Sequence, residues 1–247
     1  MNPSMPDDTA GWPPEDTIFA IDGVDIAVLP GPHPFHAEQS QAAADNWERE
    51  IAANPALFDG QMVFLRQLQL RDGVLQAAAH MVPFSTFMWW RRQPGGAGGI
   101  HLFGWAILIS SDNAIIAIRM GAQTANPGQV YCAAGSLDAH DVIDGRCDLE
   151  GNMVREVREE TGLDLAQARP VSGLHALHRD RRFTVFRFFR FERTAAALLA
   201  DIAAHMQVDE EKEIDGAVAI RSADPGAHAY NPMMLPILDL FFSGRPL

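Results

Sequence analysis

Arg155-Glu156-Val157-Arg158-Glu159-Glu160-Thr161-Gly162-Leu163 is the stretch on which the reading of this chain turns. Its acids stand at i, i+3 and i+4, spacings that share one face of an α-helix. Glu156, Glu159 and Glu160 are therefore expected to converge. Like charges at i, i+4 destabilise an isolated helix by a few tenths of a kcal/mol. Such a cluster calls for a counter-charge, and a hard divalent cation with oxygen ligands suits it. Asp148 is a plausible N-cap for a helix running from Leu149 to Thr161, and Gly162 follows at the position where a left-handed residue ends helices. Between the acids lie Met153, Val154, Val157 and Leu163, expected to pack on a sheet.

The same nine residues resemble the second half of the Nudix box, R-E-U-x-E-E-x-G-U with U aliphatic, and they fill it without a mismatch. The first half, G-x5-E-x7, departs. Counting back from Arg155, its Glu falls on Cys147 and its Gly on Asp141. Ala133-Ala134-Gly135-Ser136-Leu137 resembles the Pro-Gly-Gly turn that precedes the box. Gly135 to Arg155 is 20 steps against 14 in the pattern, an insertion of 6. The resemblance covers about Leu102 to Leu240. It implies an α/β (α+β) fold: a Nudix-type α/β/α sandwich with a mixed sheet, preceded here by a smaller N-terminal α+β subdomain.

The resemblance also implies a chemistry. Glu156, Glu159 and Glu160 match the metal-binding, catalytic glutamates, with Mg²⁺ or Mn²⁺ as the ion. The substrate class is a nucleoside diphosphate linked to another moiety. Arg155 matches a structural residue that pairs with a carboxylate, and Gly135 and Gly162 shape the turn and the helix end. The carbonyl of Ala134 or Gly135 is a further candidate ligand. A late acid is expected too, and Glu213, at the start of a strand over Ile214 to Ile220, is the candidate. Arg119 is a candidate phosphate contact through its forked donors; Arg91 and Arg92 are others. A thiol at Cys147 is a poor ligand for a hard cation. Either the insertion shifts the register, so that Glu150, Asp148 or Asp144 supplies the carboxylate, or the site is weakened and the protein binds nucleotides without fast turnover.

Organisation follows from breakers and periodicity. Residues 1–16, rich in Pro and acids, are expected to be disordered. An N-terminal subdomain is expected over 17–93. It would open with a hairpin around Asp22-Gly23 and continue with a helix from Ala37 to Ala53. Strands from Met62 to Leu70 and Val74 to His80 follow, then a short helix from Pro83 to Trp90. Phe84, Phe87, Trp89 and Trp90 fit either a subdomain core or a platform for a base. Gly-rich 94–100 reads as a linker, because it lacks the Gly-Lys-Ser/Thr of a P-loop. The domain over 101–247 would hold the remaining strands and helices, with Arg182 to Phe191 as a central strand and Ser136 to Arg146 as an acidic loop. The N-terminal part would serve an extended substrate as a second wall, or a homodimer as an interface.

Composition narrows the classes. Of 247 residues, 47% are apolar, ample for a core. A net charge of −13 argues against a nucleic-acid surface. Cys132 and Cys147 make no disulfide framework and read as reduced thiols of a cytoplasmic protein. No signal peptide is evident, and the apolar run from Leu102 to Ile109 is too short to span a bilayer.

Overall fold

The computed structural model describes residues 11–245. It contains two mixed sheets and five α-helices among those residues. The larger sheet has the order β1-β11-β12-β5-β6-β13: Phe19–Ile21, Leu174–Arg179, Arg182–Phe191, His101–Ile109, Ile115–Met120 and Ile214–Ile220. The short strands β7 (Val130–Tyr131) and β10 (Ala168–Pro170) join β6 and β12. The second sheet runs β3-β4-β2-β9-β8: Gln61–Arg71, Val74–Pro83, Gly23–Val28, Arg146–Cys147 and Val142–Ile143.

The central strand is β12, parallel to β5 and antiparallel to β11. Phe183, Val185, Phe186, Phe188 and Phe191 on it are all buried, as a strand covered on both faces requires. Helix α3 (Leu149–Thr161) packs on β5, and α4 (Ala195–Val208) packs on β13 and α3. On the opposite face α5 (Met234–Phe242) stacks Phe241 on Phe188. The result is the expected α/β/α sandwich. Strands β5 and β6 pair only through Leu108 and Ile109 with Ile116 and Ile115, then part. Trp105 and Tyr131 stack across the opening with ring centroids 6.1 Å apart.

The N-terminal elements depart from the expected division. Strands β1 and β2 form no hairpin with each other; β1 joins β11 in the large sheet and β2 runs parallel to β4. The helix α1 spans Pro34–Ala53, with His33 as its cap, and α2 spans Phe84–Trp90. Strands β3 and β4 do pair as expected, around Asp72 and Gly73, both at positive φ as a tight hairpin turn demands. The expected linker is packed rather than loose: Gly98 and Gly99 abut Phe35 and Phe64, and Ile100 bridges to Leu65. The expected boundaries at 17–93 and 101–247 are thus crossed by hydrogen bonds in both directions.

Of the tail expected to be disordered, residues 1–10 lie outside the described residues. Residues 11–16 are anchored. The indole of Trp12 donates to Leu68 O at 3.1 Å and meets Phe183 edge-on, and Asp16 binds Arg179 at 2.8 Å. Both cysteines are free, and among the described residues no helix is long and apolar enough to cross a membrane.

The expected acidic loop is also structured. Its Val142–Cys147 stretch folds as the β8–β9 hairpin, and Arg146 pairs with Ala27 of β2. This hairpin lies between the Ala134-Gly135 turn and α3. It extends the second sheet and is tied down by an ion pair between Arg146 and Asp25.

Candidate active site

Helix α3 is capped as its sequence suggests. The Asp148 side chain accepts from Gly151 N, and Gly162 adopts φ 70° at the C-terminus. Leu149, Met153, Val157 and Leu163 are buried, whereas Val154 faces outward at 47% exposure. Glu156 and Glu160, one turn apart, point inward and are 6% and 4% exposed. Glu159 does not join them. Its half-exposed carboxylate turns to Arg155 at 2.7 Å. The expected convergence of the trio therefore resolves into two buried acids and one at the rim.

The Ala134-Gly135 turn lies directly against those two acids. Ala134 N–H donates to Glu160 Oε2 at 2.7 Å. A Cβ on Gly135 would stand 2.2 Å from Glu156 Oε1, so only glycine permits this approach. That donation occupies the Ala134 amide and leaves its carbonyl available.

Arg155 fastens the helix to the loop. It reaches Asp141 at 3.0 Å and Glu156 at 2.9 Å, besides Glu159. Asp141, 5% exposed, also accepts from Asn152 Nδ2 at 3.0 Å and closes a capping box with Asp138. Neither Asp141 nor Asn152 stood out in the sequence. The only signal for Asp141 was its place in a loop rich in acids. The other loop acids serve elsewhere: Asp148 caps α3, Glu150 binds Arg187 at 3.2 Å, and Asp144 sits at φ 50° in the hairpin turn. The register shift expected to deliver Glu150, Asp148 or Asp144 to the site does not occur. Cys147 lies in β9, its thiol pushed up to about 12 by burial and by Asp141.

Burial dominates the electrostatics. It raises Glu156 to about 8, against the pull of Arg155 and with help from Glu159, Glu213 and Asp141. Burial likewise raises Glu160 well above the carboxylate range, reinforced by Glu156 and Glu213. Glu213 is raised by loss of water first and then by Glu211, Asp209 and Glu159. It thus stands within the field of the two buried acids. Glu160 Oε1 is buried without a hydrogen-bond partner. Desolvated carboxylates with an unpartnered oxygen need a proton or a cation. The donor chemistry, oxygen only, fits Mg²⁺ or Mn²⁺. Among the described residues, however, no three His, Cys, Asp or Glu side chains stand in ligand geometry around one point.

In front of the turn opens a cavity of about 750 Å³. Ala134, Gly135, Asp138 and Glu213 form one wall of it. Phe103, Trp105 and Tyr131 line its flank, and Phe84, Phe87 and Arg91 bring in the N-terminal part as a second wall. Arg119 is not among the lining residues. It projects from the other face of β6 to Asp215, 2.5 Å away, which overturns it as a phosphate contact. Arg92 is held by Glu50 at 2.6 Å. The cations that do line the cavity are Arg91, Arg179 and Arg182. Arg182 was missed because it lies in the cluster Arg179-Asp180-Arg181-Arg182, where only the strand register tells which side chains reach the cavity.

No family model and no curated protein matches the chain. Solved structures do. DR0079 from Deinococcus radiodurans is 13% identical, with a TM-score of 0.41 over 57% of this chain and 83% of that one. The MutT protein from Methanosarcina mazei Go1 is 14% identical, with a TM-score of 0.39 over 57% and 92%. The Nudix hydrolase RenU from M. smegmatis is 12% identical, with a TM-score of 0.36 over 57% and 81%. The last of these is described as a Nudix hydrolase.

Proposed function

We propose that this protein is a Mg²⁺- or Mn²⁺-dependent pyrophosphohydrolase acting on a nucleoside diphosphate linked to another moiety. One observation carries the reading: the Ala134-Gly135 turn touches two buried carboxylates on one side and walls the cavity on the other. Glu156 and Glu160, with the Ala134 carbonyl, would hold the ion, and Glu159 would join them from the rim only by leaving Arg155. When bound, it neutralises phosphoryl oxygens and lowers the pKa of a coordinated water. The remaining work falls to the chain. Arg155 fixes Glu156 and Glu159 relative to the loop, and Ala134 N–H fixes Glu160. The Glu213 carboxylate accepts no hydrogen bond among the described residues and would be free, as the late acid, to reach the ion or to take a proton at the cavity wall. The aromatic flank excludes water and offers ring faces to a base.

The test is product release from ADP-ribose, NADH, UDP-glucose and coenzyme A with either metal. No turnover of any of them, together with no heat on titrating metal, would sink the reading.

A second reading is favoured by Cys147 and by the absence, among the described residues, of a preformed set of three acidic ligands. In it the protein binds nucleotides and has lost fast hydrolysis. It predicts nucleotide-dependent thermal stabilisation without product.

A further inference from the structure

Two arginines line the cavity without a carboxylate partner among the described residues. Arg91, at the end of α2, donates to Asn126 Oδ1 at 2.8 Å and to Ala125 O at 3.4 Å, and lies 5.7 Å from the centre of the Phe87 ring. Arg182 opens β12 and, among the described residues, its side chain makes a cation–π contact, 5.8 Å from the centre of Trp90, and no ion pair. Its cross-strand neighbour Arg179 differs, being neutralised by Asp16. The Arg91 and Arg182 charges repel each other and lower Arg91, after burial has done most of that. His101, in register with Arg182, is kept neutral by burial and by both arginines, and its Nε2 is buried without a partner. Cations that face a cavity with no carboxylate paired to them among the described residues are the electrostatic complement of an anion, and the guanidinium fork suits phosphate oxygens.

This anion position is separate from the carboxylate end. The rings of His101, Phe103 and Trp105 follow one another along β5 at 5.1 and 5.2 Å, and Trp105 stacks on Tyr131. At the strand rise, the four steps from His101 to Trp105 cover ~13 Å. Tyr131 stands between the two fields, acted on by Glu160 and Glu213 and by Arg91.

We propose that Arg91 and Arg182 form a second anion subsite, which takes a phosphate group at the far end of an elongated ligand whose ring lies along His101, Phe103 and Trp105. The assignment of the near end to a diphosphate rests on the function proposed above; the arginine subsite does not.

The test uses inorganic phosphate as probe on the full chain in EDTA, with chloride balancing ionic strength. Phosphate should raise the melting temperature of the wild type. Its apparent Kd should rise at least tenfold in Arg182→Gln and in Arg91→Gln. Absence of any phosphate effect in the wild type, or a wild-type Kd in Arg182→Gln, overturns the subsite. Should that variant not fold, Arg182→Lys, which keeps the charge but not the fork, carries the same test. With Mg²⁺ present, pyrophosphate and phosphate should stabilise additively; mutual competition overturns the two-position claim. Glu160→Gln should lose the pyrophosphate effect and keep the phosphate effect. If instead the metal-dependent effect is missing in the wild type while phosphate still binds through Arg182, the hydrolase reading falls and the subsite stands.

Discussion

Arg155 and Asp141 lie 14 residues apart in sequence and 3.0 Å apart in space. The guanidinium is partly exposed and the carboxylate is buried, so the contact pins a loop to the helix that carries the acids. Removing Asp141 takes a shared acceptor from Arg155, from Asn152 Nδ2 and from the Asp138 amide at once, while Arg155 keeps Glu156 and Glu159. Asp141→Ala should therefore cost about 2–4 kcal/mol, the lower part of the range reflecting the exposure of Arg155. Arg146→Ala, which breaks an exposed pair with Asp25, should cost about 1 kcal/mol or less. Urea denaturation compares the two. Equal midpoints for Asp141→Ala and wild type would remove the pinning role.

Glu160→Gln keeps an oxygen to accept the Ala134 amide and removes a buried ionisable group. In EDTA the variant should be as stable as the wild type or more so, because the charged form is the one burial disfavours. With metal and substrate its rate should fall by roughly 10²-fold or more if Glu160 supports the reaction. A variant with unchanged turnover would exclude the acid from the site.

The raised Glu156 gives stability an unusual sign. Its pKa is about 8 in the fold against an ordinary 4.5. Between these values the unfolded chain releases the proton that the folded chain keeps. The contribution of Glu156 is fully present below pH 4.5 and is lost as the pH rises through about 8. The metal-free protein should thus weaken across this window, and Glu156→Gln should flatten the profile. Metal affinity should rise over the same window, since the ion displaces the proton. Denaturation at a series of pH values in EDTA checks this, and identical profiles for variant and wild type would rule it out.

Gly135→Ala places a methyl 2.2 Å from Glu156 Oε1. The turn or the carboxylate must move, at about 1–3 kcal/mol by the usual cost of overpacking. Metal affinity should drop at least tenfold. Gly173→Ala, with nothing within 4 Å of the added carbon, is the control and should leave both quantities unchanged. Calorimetric metal titration of the two variants distinguishes a local clash from a general intolerance of alanine.

Arg119 and Arg91 provide a kinetic contrast. Arg119 is held by Asp215 outside the cavity, so Arg119→Ala should change kcat/KM by less than about threefold, the effect of a surface charge. Arg91→Ala should raise KM by at least about tenfold, as loss of a charge-assisted hydrogen bond does. The reverse order would show that the cavity is not where substrate sits.

The sequence alone was enough for whatever depends on neighbours along the chain. The Asp148 cap, the Gly162 stop, the inward face of α3 and the Asp72-Gly73 hairpin all follow from φ/ψ preferences and helical spacing acting within a few residues. So did the pairing of Glu156 with Glu160, one turn apart. Tertiary structure decided the rest, because it depends on which distant segments share water-free space. Glu159 followed the pull of Arg155 rather than its neighbours. The Val142–Cys147 stretch became a hairpin seated on the edge of β2. Strand β1 left its sequence neighbour for β11, and β5 parted from β6 to open the cavity. Which arginines of the cluster face that cavity was set by the register of β12 on β11 and β5, a fact that no local pattern encodes.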